Sequence, residues 1–363
     1  MQHEAQKSIF RADFYVFGAR LIDLVLLRAV ESLSALGTRS YDFGTRQGYE
    51  FIDTNRGDRP VNITVWYPAK LPKDAPPSDY NFDAPPDLSG APYPLILSSS
   101  KVGSIFGPHL ASHGFVYVGV NGQDSAYYGG PWLVDYPLDI VFALNQVASQ
   151  PLEGLEGMID ASRTGAMGYS FDSFTSLVLG SARMDPEFTL QQCAEAATIS
   201  PAPSKVFIDY NCKLTGGWEA LATRAGPAIT TSDDGLWQPM TDGRILAVMP
   251  MAPEGAWLFG ERGLASVDRP VLIIGASEDE NNYYNLEAVP IFERLGTPDK
   301  SMITFLGEDH MMIYSDEPVE KMKHFAAAFF GYYLQGQEKY QKYFSEDVVN
   351  RLENMAWGVY KGE

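Results

Sequence analysis

Residues 163–180 read RTGAMGYSFDSFTSLVLG, an apolar run that passes through Gly168, Tyr169, Ser170, Phe171 and Asp172 into a helix-forming stretch. In a Gly-x-Ser-x-Gly sequence, a strand turning sharply into a helix presents the serine hydroxyl above the edge of a sheet. Here Asp172 stands in place of the second glycine. The turn also puts Ser170 at a helix start, where N–H groups and the helix dipole favour negative charge. A plain serine N-cap would look the same, so the meaning of Ser170 depends on its surroundings.

On both sides of this stretch the chain alternates between two patterns. Short apolar runs occur at 94–98 (PLILS), 115–120 (FVYVGV), 163–168, 245–250 (ILAVMP), 270–275 (PVLIIG) and 302–307 (MITFLG). Helical stretches are expected at 106–113, 137–149, 171–182, 285–295 and 318–334, with another helix over 336–358. The alternating run 61–68 (VNITVWYP) reads as a half-buried strand. Strands and helices in alternation, with almost uninterrupted apolar strands, predict an α/β fold with a mostly parallel sheet covered on both faces. Such sheets place their sites at the carboxyl ends of the strands. Residues 185–242 break the rhythm and are expected to form a lid-like insertion over those ends. Residues 14–37 carry apolar positions at helical spacing, so 1–40 is expected to be an amphipathic segment for packing or homodimerisation, and 41–363 the main domain.

Composition narrows the function. Asp and Glu outnumber Lys and Arg by 46 to 27, a formal net charge of −19, which argues against nucleic acid as a partner. Apolar runs are too short and too interrupted by charge for a membrane-spanning helix, and no signal-peptide pattern is evident. The two cysteines, Cys193 and Cys212, are close enough in sequence to close a short loop and show no metal-binding spacing.

A nucleophilic serine needs a base. Of five histidines, His3 lies near the start, His109 and His113 share a short helix, and His324 lies within 318–334. Only His310 follows a strand, in the loop after 302–307. An orienting carboxylate is available in the acidic loop Glu278-Asp279-Glu280 after 270–275. The order serine, acid, histidine at three strand ends is the order of one hydrolase sheet.

These stretches, together with 48–68 (GYEFIDTNRGDRPVNITVWYP), 109–122 (HLASHGFVYVGVNG) and 135–147 (DYPLDIVFALNQV), resemble the α/β-hydrolases from about Gly48 to Tyr333. More specifically, the chain resembles the predicted dienelactone hydrolases and platelet-activating-factor acetylhydrolase-like serine esterases. The loop GASED is similar to the acid loop of cutinase-like polyester hydrolases, and that register selects Asp279. The resemblance implies a Ser170–His310–Asp279 triad, no cofactor, and small or polymeric carboxylic esters as substrates. It also implies an oxyanion hole from the N–H of Phe171 and a donor in the loop after 94–98, assigned to Val102. Where the family has Ser-His-Gly after that strand, this chain has Ser99, Ser100 and Lys101.

Aromatic residues in the strand-end loops (Tyr127, Tyr128, Trp132, Tyr283, Tyr284) and in the insertion (Trp218, Trp237) suggest a substrate pocket for hydrophobic or aromatic esters. Two other readings stay open. One is a lactone hydrolase, which would ordinarily use a cysteine nucleophile; the other is a catalytically silent binding protein on the same fold.

Overall fold

The computed structural model describes residues 40–76, 78, 80–122, 131–199, 202–280 and 283–362. The amphipathic segment expected at the start of the chain, with its proposed dimer contact, lies outside these residues, as do Tyr127 and Tyr128.

Among the described residues nine strands form one sheet: β1 (Asp42–Asp53), β2 (Arg59–Ala69), β3 (Tyr93–Ser99), β4 (Val116–Gly122), β5 (Ile159–Tyr169), β6 (Ile245–Met251), β7 (Val271–Ala276), β8 (Lys300–Phe305) and β9 (Met355–Trp357). Their spatial order is β1-β2-β4-β3-β5-β6-β7-β8-β9. From β4 through β8 every pairing is parallel. The β1–β2, β2–β4 and β8–β9 pairings are antiparallel.

The apolar strands follow from burial on both faces. In β3, Leu95 and Leu97 join one core cluster and Ile96 the other. Val271 and Ile273 of β7 alternate in the same way with Leu272 and Ile274. Successive side chains of a strand point to opposite faces, so covering both faces selects an unbroken apolar run.

One cluster is closed by α2 (Trp132–Ser149), α3 (Phe171–Leu179), α8 (Ala256–Ala265) and α9 (Ala288–Arg294). The other is closed by α1 (Gly103–Ser112) and α10 (Asp316–Gln335). Among the described residues no helix is long and apolar enough to cross a membrane.

Among the described residues, four short helices and no strand lie between α3 and β6: α4 (Pro186–Glu195), α5 (Lys205–Cys212), α6 (Trp218–Ala225) and α7 (Pro227–Thr230). A Cys193–Cys212 disulfide joins the C-terminal ends of α4 and α5. Ion pairs fasten the segment at its edges. Arg224 on α6 grips Asp135 of α2 with two bonds of 2.7 and 2.6 Å. Arg183 does the same to Asp234, at 2.6 and 2.9 Å. Planar guanidinium–carboxylate pairs of this kind fix orientation as well as distance.

The helix expected over 336–358 is not present. That stretch holds a 3-10 turn (Glu338–Phe344), one short helix, α11 (Glu346–Val349), and the edge strand β9. Tyr343, Phe344 and Val349 turn inward to finish the core beside α10, a job done residue by residue rather than by one helical face. The edge strand β1 and helix α8 are further elements that the sequence patterns did not announce.

Candidate active site

The site begins with a close approach. A Cβ on Gly168 would lie 2.0 Å from the Asp172 carbonyl oxygen and 2.9 Å from the Ser173 nitrogen, both backbone atoms. Only glycine permits α3 to start this near the end of β5. Ser170 then takes φ 60° and ψ −131°, a conformation that costs a non-glycine residue on the order of 1–3 kcal/mol.

Hydrogen bonds hold that conformation. The Ser170 N–H donates to the Met251 carbonyl oxygen at 3.0 Å, and the Ser170 carbonyl accepts from the Ser173 N–H at 2.7 Å and from the Ser173 hydroxyl. The Ser173 hydroxyl oxygen accepts in turn from the Glu254 N–H at 3.0 Å.

At this turn the Ser170 hydroxyl reaches the loop after β8. Its Oγ lies 2.9 Å from His310 Nε2, and His310 Nδ1 lies 2.9 Å from Asp279 Oδ2. A carboxylate only accepts, so Nδ1 carries the proton and Nε2 is left as the acceptor facing the serine. Asp279 is 5% exposed, whereas Glu278 and Glu280 are exposed on either side of it. The loops after β7 and β8 are laced together by Glu278 N–H to Glu308 O at 2.9 Å and Gly307 N–H to Ser277 Oγ at 2.8 Å. Tyr169 adds another tie, its hydroxyl donating to the His310 carbonyl oxygen at 2.8 Å.

Phe171 is the first residue of α3 and Val102 precedes the first residue of α1, with its side chain in the core. The Phe171 N–H therefore belongs to the helix N-terminus that directly follows Ser170, where anions are favoured. Lys101 places its ammonium 3.8 Å from the centre of the Phe171 ring. Partial burial lowers the Lys101 pKa, opposed by the nearby carboxyls of Asp172 and Glu254. Asp172, 1% exposed, accepts a hydrogen bond from the Ser99 hydroxyl at the end of β3.

The aromatic residues divide. Trp132 packs edge-on against Phe171 and Phe174, both at 5.5 Å, so it belongs to the wall behind the elbow. Tyr283 meets Phe207 of α5 at 4.7 Å, and its hydroxyl accepts from the Ser204 N–H at 3.2 Å. Trp218 and Trp237 pair with each other at 5.4 Å within the 185–242 segment. Tyr284 is a core residue, 5% exposed. Its hydroxyl is 2.7 Å from Thr304 Oγ1 and accepts from the Tyr360 N–H at 2.8 Å, so it is spent on internal packing instead of lining an open surface.

Two buried carboxyls were not singled out from sequence. Glu254, in the loop after β6, is 7% exposed and accepts from the Tyr210 hydroxyl of α5 at 3.0 Å. Burial raises its pKa to about 7; Tyr210, His310 and Lys101 oppose the rise and Asp172 adds to it. Glu287 accepts from the Gly255 and Ala256 N–H groups at 2.8 and 2.7 Å, and burial lifts its pKa well above the usual range. A carboxylate at the end of a strand was the available signal for Glu254; for Glu287 there was none.

Among the described residues no group of three or more His, Cys, Asp or Glu side chains could hold a metal ion. No protein-family model and no curated protein matches this chain.

Proposed function

We propose that the protein is an α/β-hydrolase that cleaves carboxylic esters through an acyl-enzyme on Ser170. The observation that carries this reading is the bridging position of His310, 2.9 Å from both Ser170 Oγ and Asp279 Oδ2, at a serine held in a positive-φ turn. A helix-capping serine has no use for either feature. The strand-to-helix turn and the serine–acid–histidine order add weight.

Each step follows from the residues. Ser170 Oγ attacks the ester carbonyl as His310 Nε2 takes its proton, and Asp279 steadies the imidazolium. Negative charge developing on the carbonyl oxygen is met by the N–H groups of Phe171 and Val102, each worth about 3–4 kcal/mol by comparison with similar donors. The protonated His310 gives its proton to the departing alkoxide. Water, deprotonated by His310, then releases the acid.

The four-helix segment between α3 and β6 acts as a lid, fastened to the floor through Tyr210–Glu254 and to α2 through Arg224–Asp135. Aromatic packing of Phe171 and Trp132 beside the nucleophile, with Met311 and Tyr314 exposed next to His310, favours esters with a hydrophobic or aromatic acyl group, polyesters among them. The cysteine nucleophile of a lactone hydrolase has no counterpart, since both cysteines are joined to each other.

Treatment with a fluorophosphonate followed by peptide mass mapping tests the reading. One adduct, on Ser170, is expected. Folded protein that stays unlabelled would instead be the silent binding protein. Activity on p-nitrophenyl acetate alone, with none on longer or aromatic acyl esters, would remove the hydrophobic-acyl assignment.

A further inference from the structure

The two oxyanion donors of the proposed mechanism sit on different elements, and the sheet does not by itself fix the distance between them. Parallel pairing of β3 with β5 runs only as far as Leu97 opposite Ala166. Beyond that point Ser99, Lys101 and Val102 on one side, and Ser170 and Phe171 on the other, share no rung of the β3–β5 ladder. An oxyanion hole depends on donors placed to within a few tenths of an ångström. Something else must hold the gap.

Two side-chain contacts cross it. The Ser99 hydroxyl donates to Asp172 Oδ2, and the Lys101 ammonium lies 3.8 Å from the Phe171 ring centre. The first joins the last residue of β3, and the second the turn that follows it, to one of the first two residues of α3. We propose that Asp172, acting through Ser99, is a positioning residue that sets the oxyanion loop, and that Lys101 on Phe171 is the second tie. This rests on Ser170 being the nucleophile.

The chemistry of the position agrees. Asp172 is 1% exposed, and a buried carboxylate is tolerated only where it is hydrogen-bonded or faced by positive charge. Here the Ser99 hydroxyl supplies the bond, while the N-terminal turn of α3 and the Lys101 ammonium supply positive potential. A glycine at 172 would leave the Ser99 hydroxyl, at the end of β3 where that loop begins, without this partner. Asp172 thus does by a side chain what the pairing of β3 with β5 does not continue to do.

The test is steady-state kinetics on a p-nitrophenyl ester with Ser99→Ala, Asp172→Ala and the double variant, alongside fluorophosphonate labelling and thermal unfolding. Losing placement of one donor predicts a fall in kcat of about 10–100-fold, short of the roughly 10²–10³ for deleting a donor outright, with KM within about twofold. Because both residues act through one bond, the double variant is expected to be no slower than the slower single variant. Ser99→Thr keeps the hydroxyl and should recover most of the loss. Ser99→Ala removes only one hydroxyl, so it remains informative if Asp172→Ala fails to fold. An unchanged kcat in Ser99→Ala, or single losses that multiply in the double variant, would overturn the positioning role while leaving the labelled, active wild type intact. A wild type that neither labels at Ser170 nor turns over ester would overturn the esterase reading and this inference together.

Discussion

Replacing Glu254 with glutamine probes the buried floor of the site through stability alone. The carboxyl is 7% exposed and its pKa is raised from the ordinary 4.5 to about 7, chiefly by burial. The folded protein therefore holds this proton more tightly than the unfolded chain does. The associated stabilisation is complete below pH 4.5, fades as the pH rises towards 7, and is gone above it. Its full size is about 3 kcal/mol, at roughly 1.4 kcal/mol per pH unit. Glutamine keeps the shape and the acceptor for Tyr210 but cannot ionise, so its stability lacks this decline. Any fixed cost of the amide is the same at every pH and cancels in the comparison. Relative to wild type, Glu254→Gln should gain about 3 kcal/mol between pH 4.5 and pH 8. At roughly 2.1 cal/mol/K of unfolding entropy per residue, that corresponds to about 4 °C in Tm. Urea or thermal unfolding of both proteins at the two pH values, at one ionic strength, measures it. A variant-minus-wild-type difference that stays constant, or grows towards acid, would refute the reasoning. Tyr210→Phe supplies a further check: the hydroxyl favours the carboxylate, so its removal should move the decline to higher pH.

Two more substitutions address the elbow and the base. Gly168→Ala drives a methyl into the Asp172 carbonyl at 2.0 Å, so we expect at least about 1–3 kcal/mol of destabilisation and about 10²-fold lower kcat from a displaced nucleophile, read by unfolding and by kinetics. Asp279→Asn should keep the fold, by circular dichroism, while lowering kcat by about 10⁴-fold; Glu278→Gln and Glu280→Gln, at exposed positions, should cost little by the same assay.

What sequence could foretell depended on periodicity. Parallel strands buried on both faces leave apolar runs that stand out, so β3 to β8 and most of their helices were legible. His310 followed by elimination, as the one histidine after a strand. Asp279 needed the resemblance, because local pattern could not separate it from two neighbouring glutamates; burial in the fold separates them. Elements without a stripe were hidden. In α4 the one buried residue is Thr189, so the helix carries no apolar face to detect. The edge strand β1 has few buried residues and is broken by a register shift between Arg46 and Tyr49, while β9 is three residues long. Such edges are defined by the neighbour they pair with. The Ser99–Asp172 bond spans 73 positions between residues that each look ordinary, and only the three-dimensional arrangement makes them a pair.

The Tyr169 hydroxyl bears on the second half of the reaction. On the proposed mechanism, acylation turns Ser170 Oγ into an ester oxygen and ends its hydrogen bond to His310. For the life of the acyl-enzyme the imidazole has lost its serine partner, yet it must remain aimed at the spot where water attacks. Tyr169 holds the His310 carbonyl by a bond that involves no reacting atom. The residue next to the nucleophile thus keeps hold of the base's backbone when the nucleophile itself cannot. Deacylation would then inherit its geometry from a contact already present in the resting protein.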